Sequence, residues 1–591
     1  MTVAEANLFR AQLVVEELYR LGTSVFVVCP GSRSAPLTLA LSQDKRVRVV
    51  VHNDERGAGY YAVGYARATR QAAGVVTTSG TAAVNLYPAV VEASMDNLPL
   101  LAITADRPPE LHDCGANQTI DQDSLFGDFV RCEVPLECPD EPAEQTGVLS
   151  AIDGMFNHAF RSFYQHGPAH INCQFREPLV PSPAEIRSLS DTIARSSPDL
   201  AGWWRSGGAY GVTAAIPTPI DAASGEAVTQ AIGQAQRGVL IIGALRSEQE
   251  QQAALGLSRR LGWPTLADIT SGLSGAGEPQ IVGHYDLILA SDRFGQDTAP
   301  DTILHVGGRI SSKRLLEFIE RHRPSNYFFN AGDGVIFDPL HAVSSRTAFD
   351  TAQFCRILAD RIKNPIAESP WLQSWTSAAS HAREVINESC SGTGALTEPY
   401  LAFSLSRRLK NSSAFFVASS MPIRDMDMFA AFDHNVTIAA NRGASGIDGT
   451  IASACGYATG LNRPVTVLLG DQAFLHDLNS LAFVRHSPIP MIIVIVNNNG
   501  GRIFELLPVS DHKQVLEPLF VAPHNLTFGK IAETFGITHV EVRDRTAFEQ
   551  AYDRAAASDR TTIIESIIDP ALSREHRIKL IRAAQTFADR T

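Results

Sequence analysis

The feature that most constrains the fold is an alternation of short β-branched runs with longer stretches of small, helix-compatible residues. Residues 24–28, 47–51, 74–78 and 98–104 are apolar and rich in valine, isoleucine and threonine. Their continuous rather than alternating hydrophobicity is that of strands buried on both faces, which belong to parallel sheets. Between them, Asn53 and Asp54 can cap a helix over 57–68, and 81–94 reads as a second helix with Pro88 as a kink. Strand, helix and strand in this order predict a doubly wound sheet with helices on both faces.

The pattern recurs twice. Residues 239–243, 302–306 and 327–330 suggest a second set of strands, and 415–418, 464–469, 491–496 and 562–565 a third. A turn-rich stretch around 182–216 reads as a linker, and a helical connection follows residue 364. A chain of 591 residues is too long for one core. The expected architecture is α/β, three doubly wound parallel-sheet domains over about 1–185, 200–365 and 385–591.

Charge restricts the partners. Acidic residues outnumber basic ones, 63 to 50, for a formal net charge of -13, so neither nucleic acid nor an anionic membrane is attracted in general and any anion site must be local. The apolar runs are far shorter than the roughly 18 residues of a membrane span, and 1–21 mixes charge with apolar residues, so a cytoplasmic protein is expected. Eight scattered cysteines form no Cys-x-x-Cys pair, which argues against a zinc site or a disulfide framework.

The most informative stretch is Gly470-Asp471, then 25 residues, then Asn497-Asn498 with Asn499-Gly500-Gly501 following. Both ends lie at the carboxyl end of an expected strand. If the two strands are neighbours, Asp471 and Asn498 converge at one sheet edge. With a backbone carbonyl near Gly500 they would offer hard oxygen ligands that suit Mg²⁺ and its phosphate partners. A helix cap at Asp471 or a glycine turn at Asn499-Gly500 would explain either fragment alone; the pair at this spacing favours a site.

This arrangement resembles the diphosphate-binding motif of thiamine-diphosphate enzymes, and Glu55, at a strand-to-helix junction, resembles their pyrimidine-binding carboxylate. The resemblance narrows with Pro30-Gly-Ser-Arg-Ser-Ala-Pro36, Asp54-Glu-Arg-Gly57, Thr78-Ser-Gly-Thr-Ala82, Thr104-Ala-Asp-Arg-Pro108, Gly115-Ala-Asn-Gln118 and Asn441-Arg-Gly-Ala-Ser-Gly-Ile-Asp448. Together these are similar to the 2-succinyl-5-enolpyruvyl-6-hydroxy-3-cyclohexene-1-carboxylate synthase family (MenD) of menaquinone or phylloquinone biosynthesis. The middle of the chain resembles it mainly around Ser311-Ser-Lys-Arg-Leu-Leu316.

The resemblance implies the thiamine-diphosphate-enzyme fold. It also implies thiamine diphosphate with Mg²⁺ or Mn²⁺ as cofactors, and a homodimer or homotetramer with active sites at subunit interfaces. The implied reaction decarboxylates 2-oxoglutarate and adds the remaining four-carbon unit to isochorismate. Glu55 would hold the pyrimidine ring and promote loss of the thiazolium proton, and Ile447 would fold the two rings together. Gly470, Asp471, Gln472, Asn498, Gly500, Gly501 and Ile503 would bind the cofactor, with Asp471, Asn498 and Gly500 on the metal. Ser32, Arg33, Arg107, Asn117, Gln118, Lys313, Ser420, Arg424 and Arg442 would line the substrate site, and Ile503, Phe504 and Leu507 an apolar wall. Arginine suits two dianionic substrates because its planar fork binds carboxylate bidentately and stays charged.

Three positions depart from the family pattern. Gln472 stands where glycine is commonest, Ser419 where some members carry asparagine, and Arg502 adds a cation beside the diphosphate loop. Two other readings compete: a carboligase of the acetohydroxyacid synthase kind, which would need fewer arginines, and a non-catalytic metabolite-binding regulator that kept the fold.

Overall fold

The computed structural model describes residues 1–139, 145–161, 166–211, 222–332, 337–362 and 369–588. It contains three sheets, and every strand pair in them is parallel. The chain forms two compact units, one of residues 1–217, 443–462 and 477–486, the other of 218–442, 463–476 and 487–591.

The first unit is built on β1 (Val25–Val28), β2 (Arg48–Val51), β3 (Ala73–Thr77), β4 (Leu100–Asp106), β5 (Cys132–Leu136) and β6 (Ala169–Gln174), in the order β2-β1-β3-β4-β6-β5. β1, β3 and β4 are buried throughout, as their valine-rich sequences require. The order reverses between β1 and β3, so the loops after these two strands flank a crevice at the sheet's carboxyl edge. The helix Glu55–Thr69 is capped by Asp54, whose carboxylate accepts from the backbone N–H of Arg56 at 3.1 Å and Gly57 at 3.4 Å.

Against this helix lies Thr450–Leu461, and glycines on both let their backbones meet. A Cβ on Gly64 would stand 1.9 Å from the Ser453 carbonyl oxygen, and one on Gly456 1.9 Å from that of Tyr61. The apposed faces also exchange a hydrogen bond, from the Tyr61 hydroxyl to Thr459 Oγ1 at 2.8 Å.

The second unit carries two sheets. One contains β7 (Gly238–Ile242), β8 (Thr265–Ala267), β9 (Thr302–Val306), β10 (Asn326–Asn330) and β11 (Ser345–Thr347), ordered β11-β10-β9-β7-β8. The other contains β12 (Ala414–Val417), β13 (Thr437–Ala439), β14 (Val465–Gly470), β15 (Met491–Asn497), β16 (Thr538–Val542) and β17 (Thr562–Ile567), ordered β13-β12-β14-β15-β17-β16. One apolar cluster, including Ile241, Ile303, Trp375, Phe415, Val494 and Ile564, runs through both.

The doubly wound reading therefore holds for all three sheets, with two local corrections. The stretch read as a linker contains the helices Leu189–Ser196 and Ala201–Ser206; its residues 212–216 lie outside the described residues, as does the expected domain end near 365. Ile193, Leu200 and Trp203 bury against Phe9, Leu13 and Leu149, and the Trp203 indole donates to Glu17 Oε2 at 2.7 Å. Three anchors among serines, prolines and glycines give no periodic signal, yet they dock the segment on the helix Val3–Leu21. The helix expected over 81–94 is two, Thr81–Val84 and Tyr87–Met95. Pro88 sits in the first turn of the second, where its missing N–H costs nothing, rather than kinking one continuous helix.

Candidate active site

In the first unit the loops after β1 and β4 carry the expected substrate residues, and the loop after β3 packs against both. Gly31 and Thr78 come so close that a Cβ on Gly31 would lie 2.3 Å from that of Thr78, so the crevice mouth tolerates no side chain there. Arg33 is 1% exposed. It donates through Nη1 to the Phe175 carbonyl at 2.8 Å and through Nη2 to Glu177 Oε1 at 2.9 Å, which ties the β1 loop to the chain leaving β6. Its neighbour Ser32 is exposed. Arg107 follows β4 and donates from Nη2 to the Asn117 carbonyl at 2.9 Å. Gln118 is fastened to the β3 loop, giving from Nε2 to the Ser79 carbonyl at 2.9 Å and accepting at its own carbonyl from Ser79 Oγ at 3.0 Å. The Asn117 and Gln118 side chains remain exposed.

Glu55 is the first residue of its helix and half-buried; its Oε2 accepts from Asn85 Nδ2 at 3.4 Å. Ile447 is also half-buried, in a loop outside the cores. That loop is held by Glu92, whose two carboxylate oxygens accept from the backbone N–H of Gly443 at 2.9 Å and Ala444 at 2.7 Å. No sequence signal marked Glu92, since its partners are some 350 residues away.

In the second unit β14 pairs with β15, Gly470 opposite Val496. The register places Asp471 and Asn498 just beyond two adjacent strand ends, as the motif spacing predicts. Asp471 is 2% exposed; Oδ1 accepts from the Gln472 N–H at 2.6 Å and Oδ2 from the Gly500 N–H at 2.9 Å. His524, which sequence reasoning missed, approaches the same Oδ2 to 3.2 Å. Its Nδ1 accepts from the Leu526 N–H at 3.0 Å. Burial pushes the Asp471 carboxyl above the usual carboxylate range, against the hydrogen bond from the Gly500 N–H and the proximity of His524.

Among the described residues no lysine or arginine pairs with Asp471, and Asn498 Oδ1 accepts no hydrogen bond. A buried carboxylate and an open amide oxygen beside a glycine-lined turn fit a small divalent cation. Gly500 has φ +127, and a Cβ there would lie 2.3 Å from the Val521 carbonyl oxygen, so the turn that brings its backbone to the site accepts glycine alone. Gly470 ends β14, Gly501 donates to the Val521 carbonyl at 2.8 Å, and Gln472 reaches the Ala522 carbonyl at 3.3 Å.

Arg502 acquires a role here. Its Nε donates to the Asn498 carbonyl at 3.2 Å, and its Nη1 contacts Glu505 and Glu517 at 2.7 and 2.9 Å. It therefore shapes the loop. Ile503 and Phe504 are half-buried and Leu507 is exposed, an apolar surface continued by Phe520, which packs edge-on to Phe504.

The order of the third sheet reverses between β12 and β14; Ser420 follows β12, Arg424 lies on the next helix, Met421–Phe429, and Arg442 follows β13. Arg424 donates to the Ser420 carbonyl, and Arg442 Nη1 to Ser419 Oγ at 3.3 Å. Ser420 has φ +72, a conformation rarely adopted outside glycine. Lys313 stands apart. It opens the helix Lys313–His322, 80% exposed and paired with Glu317 at 3.1 Å, while its neighbour Arg314 turns inward to Asp286.

Residues 10–125 match the family of the thiamine pyrophosphate enzyme N-terminal TPP binding domain, 198–417 that of the middle domain, and 426–566 that of the C-terminal TPP binding domain. The 2-succinyl-5-enolpyruvyl-6-hydroxy-3-cyclohexene-1-carboxylate synthase of Rubrobacter xylanophilus is 42% identical over 98% of both chains. That of Salinibacter ruber is 38% identical over 95% of this chain and 94% of its own. A structure from Mycobacterium smegmatis, described as a candidate thiamin diphosphate-dependent enzyme, superposes with a TM-score of 0.68 over 95% of this chain and 99% of its own. At 16% identity it bears on the fold alone. With the motif residues in order along the chain and full-length relatives above 35% identity, the chain belongs to the 2-succinyl-5-enolpyruvyl-6-hydroxy-3-cyclohexene-1-carboxylate synthase family of thiamine-diphosphate enzymes.

Proposed function

We propose that the protein decarboxylates 2-oxoglutarate and adds the remaining four-carbon unit to isochorismate, forming 2-succinyl-5-enolpyruvyl-6-hydroxy-3-cyclohexene-1-carboxylate in menaquinone or phylloquinone biosynthesis. The observation that carries this reading is the convergence of Asp471, Asn498 and the Gly500 turn at adjacent strand ends, in a chain alignable end to end with synthases of that name. Thiamine diphosphate, when bound, supplies the carbanion chemistry.

The chain's own residues bind and orient. Asp471, Asn498 and the Gly500 carbonyl would hold Mg²⁺ or Mn²⁺, with Gly470, Gln472, Gly501 and Ile503 around the diphosphate. Glu55 would accept a hydrogen bond from the pyrimidine ring, and Ile447 would support the folded cofactor. Arg33, Arg107, Arg424 and Arg442, with Ser32, Asn117, Gln118, Lys313 and Ser420, would recognise the substrate carboxylates, because fixed guanidinium charges orient anions without proton exchange. Ile503, Phe504 and Leu507 would exclude water from the reacting centre.

We also propose a cytoplasmic homodimer or homotetramer in which Glu55 of one subunit meets Asp471 of another. Among the described residues no helix is long and apolar enough to cross a membrane.

The test measures CO₂ release from 2-oxoglutarate with thiamine diphosphate and Mg²⁺, with and without isochorismate. Release that matches isochorismate consumption is expected. Release without the acceptor would replace the reading with a simple decarboxylase, and none in either case with a binding protein. Glu55→Gln is expected to lower turnover by about 10²–10⁴-fold while cofactor still binds; full turnover would refute its role.

A further inference from the structure

Only one end of the Asn498 side chain can serve a metal. The amide oxygen has lone pairs for a hard cation and the amide nitrogen has none to offer, yet the two ends have the same shape. Something must set the flip. In this structure Nδ2 donates to Glu398 Oε1 at 2.5 Å. The other oxygen of Glu398 accepts from Arg577 Nη2 at 2.7 Å. Arg577, 4% exposed on the helix Pro570–Ala588, also pairs with Asp425. Reversing the amide would press its oxygen against a carboxylate, so the arrangement leaves Oδ1 as the end free to face the metal.

We propose that Glu398, held by Arg577, is a positioning residue for the divalent cation: it selects the metal-binding orientation of Asn498. The inference rests on the reading of Asp471 and Asn498 as metal ligands. A simpler role exists for Glu398, the first residue of the helix Glu398–Arg408, where a negative charge favours the helix dipole. The dipole, however, requires neither a bond to Asn498 nor a buried arginine on the second oxygen. Partners of this kind commonly change metal affinity by about 10–100-fold when removed.

The test is Mn²⁺ titration, followed by electron paramagnetic resonance, of the full-length protein with thiamine diphosphate, comparing wild type, Glu398→Ala and Glu398→Gln. The Mn²⁺ dissociation constant of Glu398→Ala is expected to rise about 10–100-fold, with turnover largely recovered at saturating metal, and the metal-free protein is expected to melt lower because Arg577 keeps only Asp425 as a carboxylate partner. Glu398→Gln, which keeps an oxygen for Nδ2 but can no longer satisfy Arg577 with it, should shift the same way by less. Should the alanine variant not fold, the glutamine variant decides. Wild-type metal affinity in the folded variants overturns the proposal, as does a lower melting temperature with unchanged metal affinity. A wild-type protein that binds no Mn²⁺ with thiamine diphosphate overturns instead the metal-site reading beneath it.

Discussion

Replacing Glu92 by alanine tests how the Ile447 loop is held. Glu92 is 1% exposed and receives three donors: the N–H groups of Gly443 and Ala444 at 2.9 and 2.7 Å, and Arg67 Nη2 at 3.2 Å. Arg67 keeps Asp96 as a second partner, so the principal loss falls on the two backbone groups. A hydrogen bond to a charged acceptor contributes about 1.5–3 kcal/mol, and removing one side of a buried charged pair costs about 3–5 kcal/mol. The two routes agree, and about 3–5 kcal/mol is the expected destabilisation. For a unit of this size that lowers the melting temperature by about 10 °C.

The cofactor should sense the same change, because a loosened loop no longer presents Ile447. Even about 1.4 kcal/mol of the loss appearing in binding weakens thiamine diphosphate roughly tenfold. Circular dichroism melting and fluorescence titration with the cofactor read both effects. Glu92→Gln should recover little, since its amide nitrogen faces a second donor. A melting temperature within about 2 °C of wild type, with unchanged cofactor affinity, would refute the latch.

Two further outcomes follow from packing and ionisation. Gly64→Ala drives a Cβ into the Ser453 backbone and should cost at least about 1–3 kcal/mol. Gly256→Ala, where nothing lies within 4 Å, should instead stabilise its helix by about 0.5–1 kcal/mol; equal melting shifts in the two variants would contradict the close-contact argument. Burial alone would raise the Glu565 carboxyl, but hydrogen bonds from His539, the Phe528 N–H and Asn497 hold it below the usual carboxylate range. Its contribution is therefore complete above that range and lost as pH falls through the lowered value. The stability advantage of wild type over Glu565→Gln should be full near pH 6 and shrink below about pH 4; an advantage that grows in acid would refute the assignment.

The strands were legible where both faces are buried. Residues 302–306 and 491–496 read correctly because continuous Val, Ile and Leu runs have few other uses in a chain of this kind. The short edge strands β2 and β16 are partly exposed; β2 was read from its valines, while β16, β8, β11 and β13 escaped because three to five residues carry little periodicity. β5 and β6 were missed for a related reason, since Cys132–Leu136 includes a proline and Ala169–Gln174 mixes His170 and Asn172 into its core-facing run.

By itself the sequence determined the fold class and the family, and it marked as candidates the residues whose spacing is local: Gly470-Asp471, Asn498, Glu55 and the arginines that follow strands. Local chemistry suffices for these because a strand end, a glycine turn and a helix start are each decided within a few residues. Tertiary structure alone decided which of these side chains are already engaged, as Arg33 is with Glu177, and which stand in solvent, as Lys313 does. It also decided the supports, Glu92 beneath the Ile447 loop, His524 beside Asp471, and Arg577 with Glu398 behind Asn498. Such partners meet across 53 to as many as 352 residues of chain, and no pattern within one stretch can encode a contact whose geometry exists only after the sheets and helices have packed.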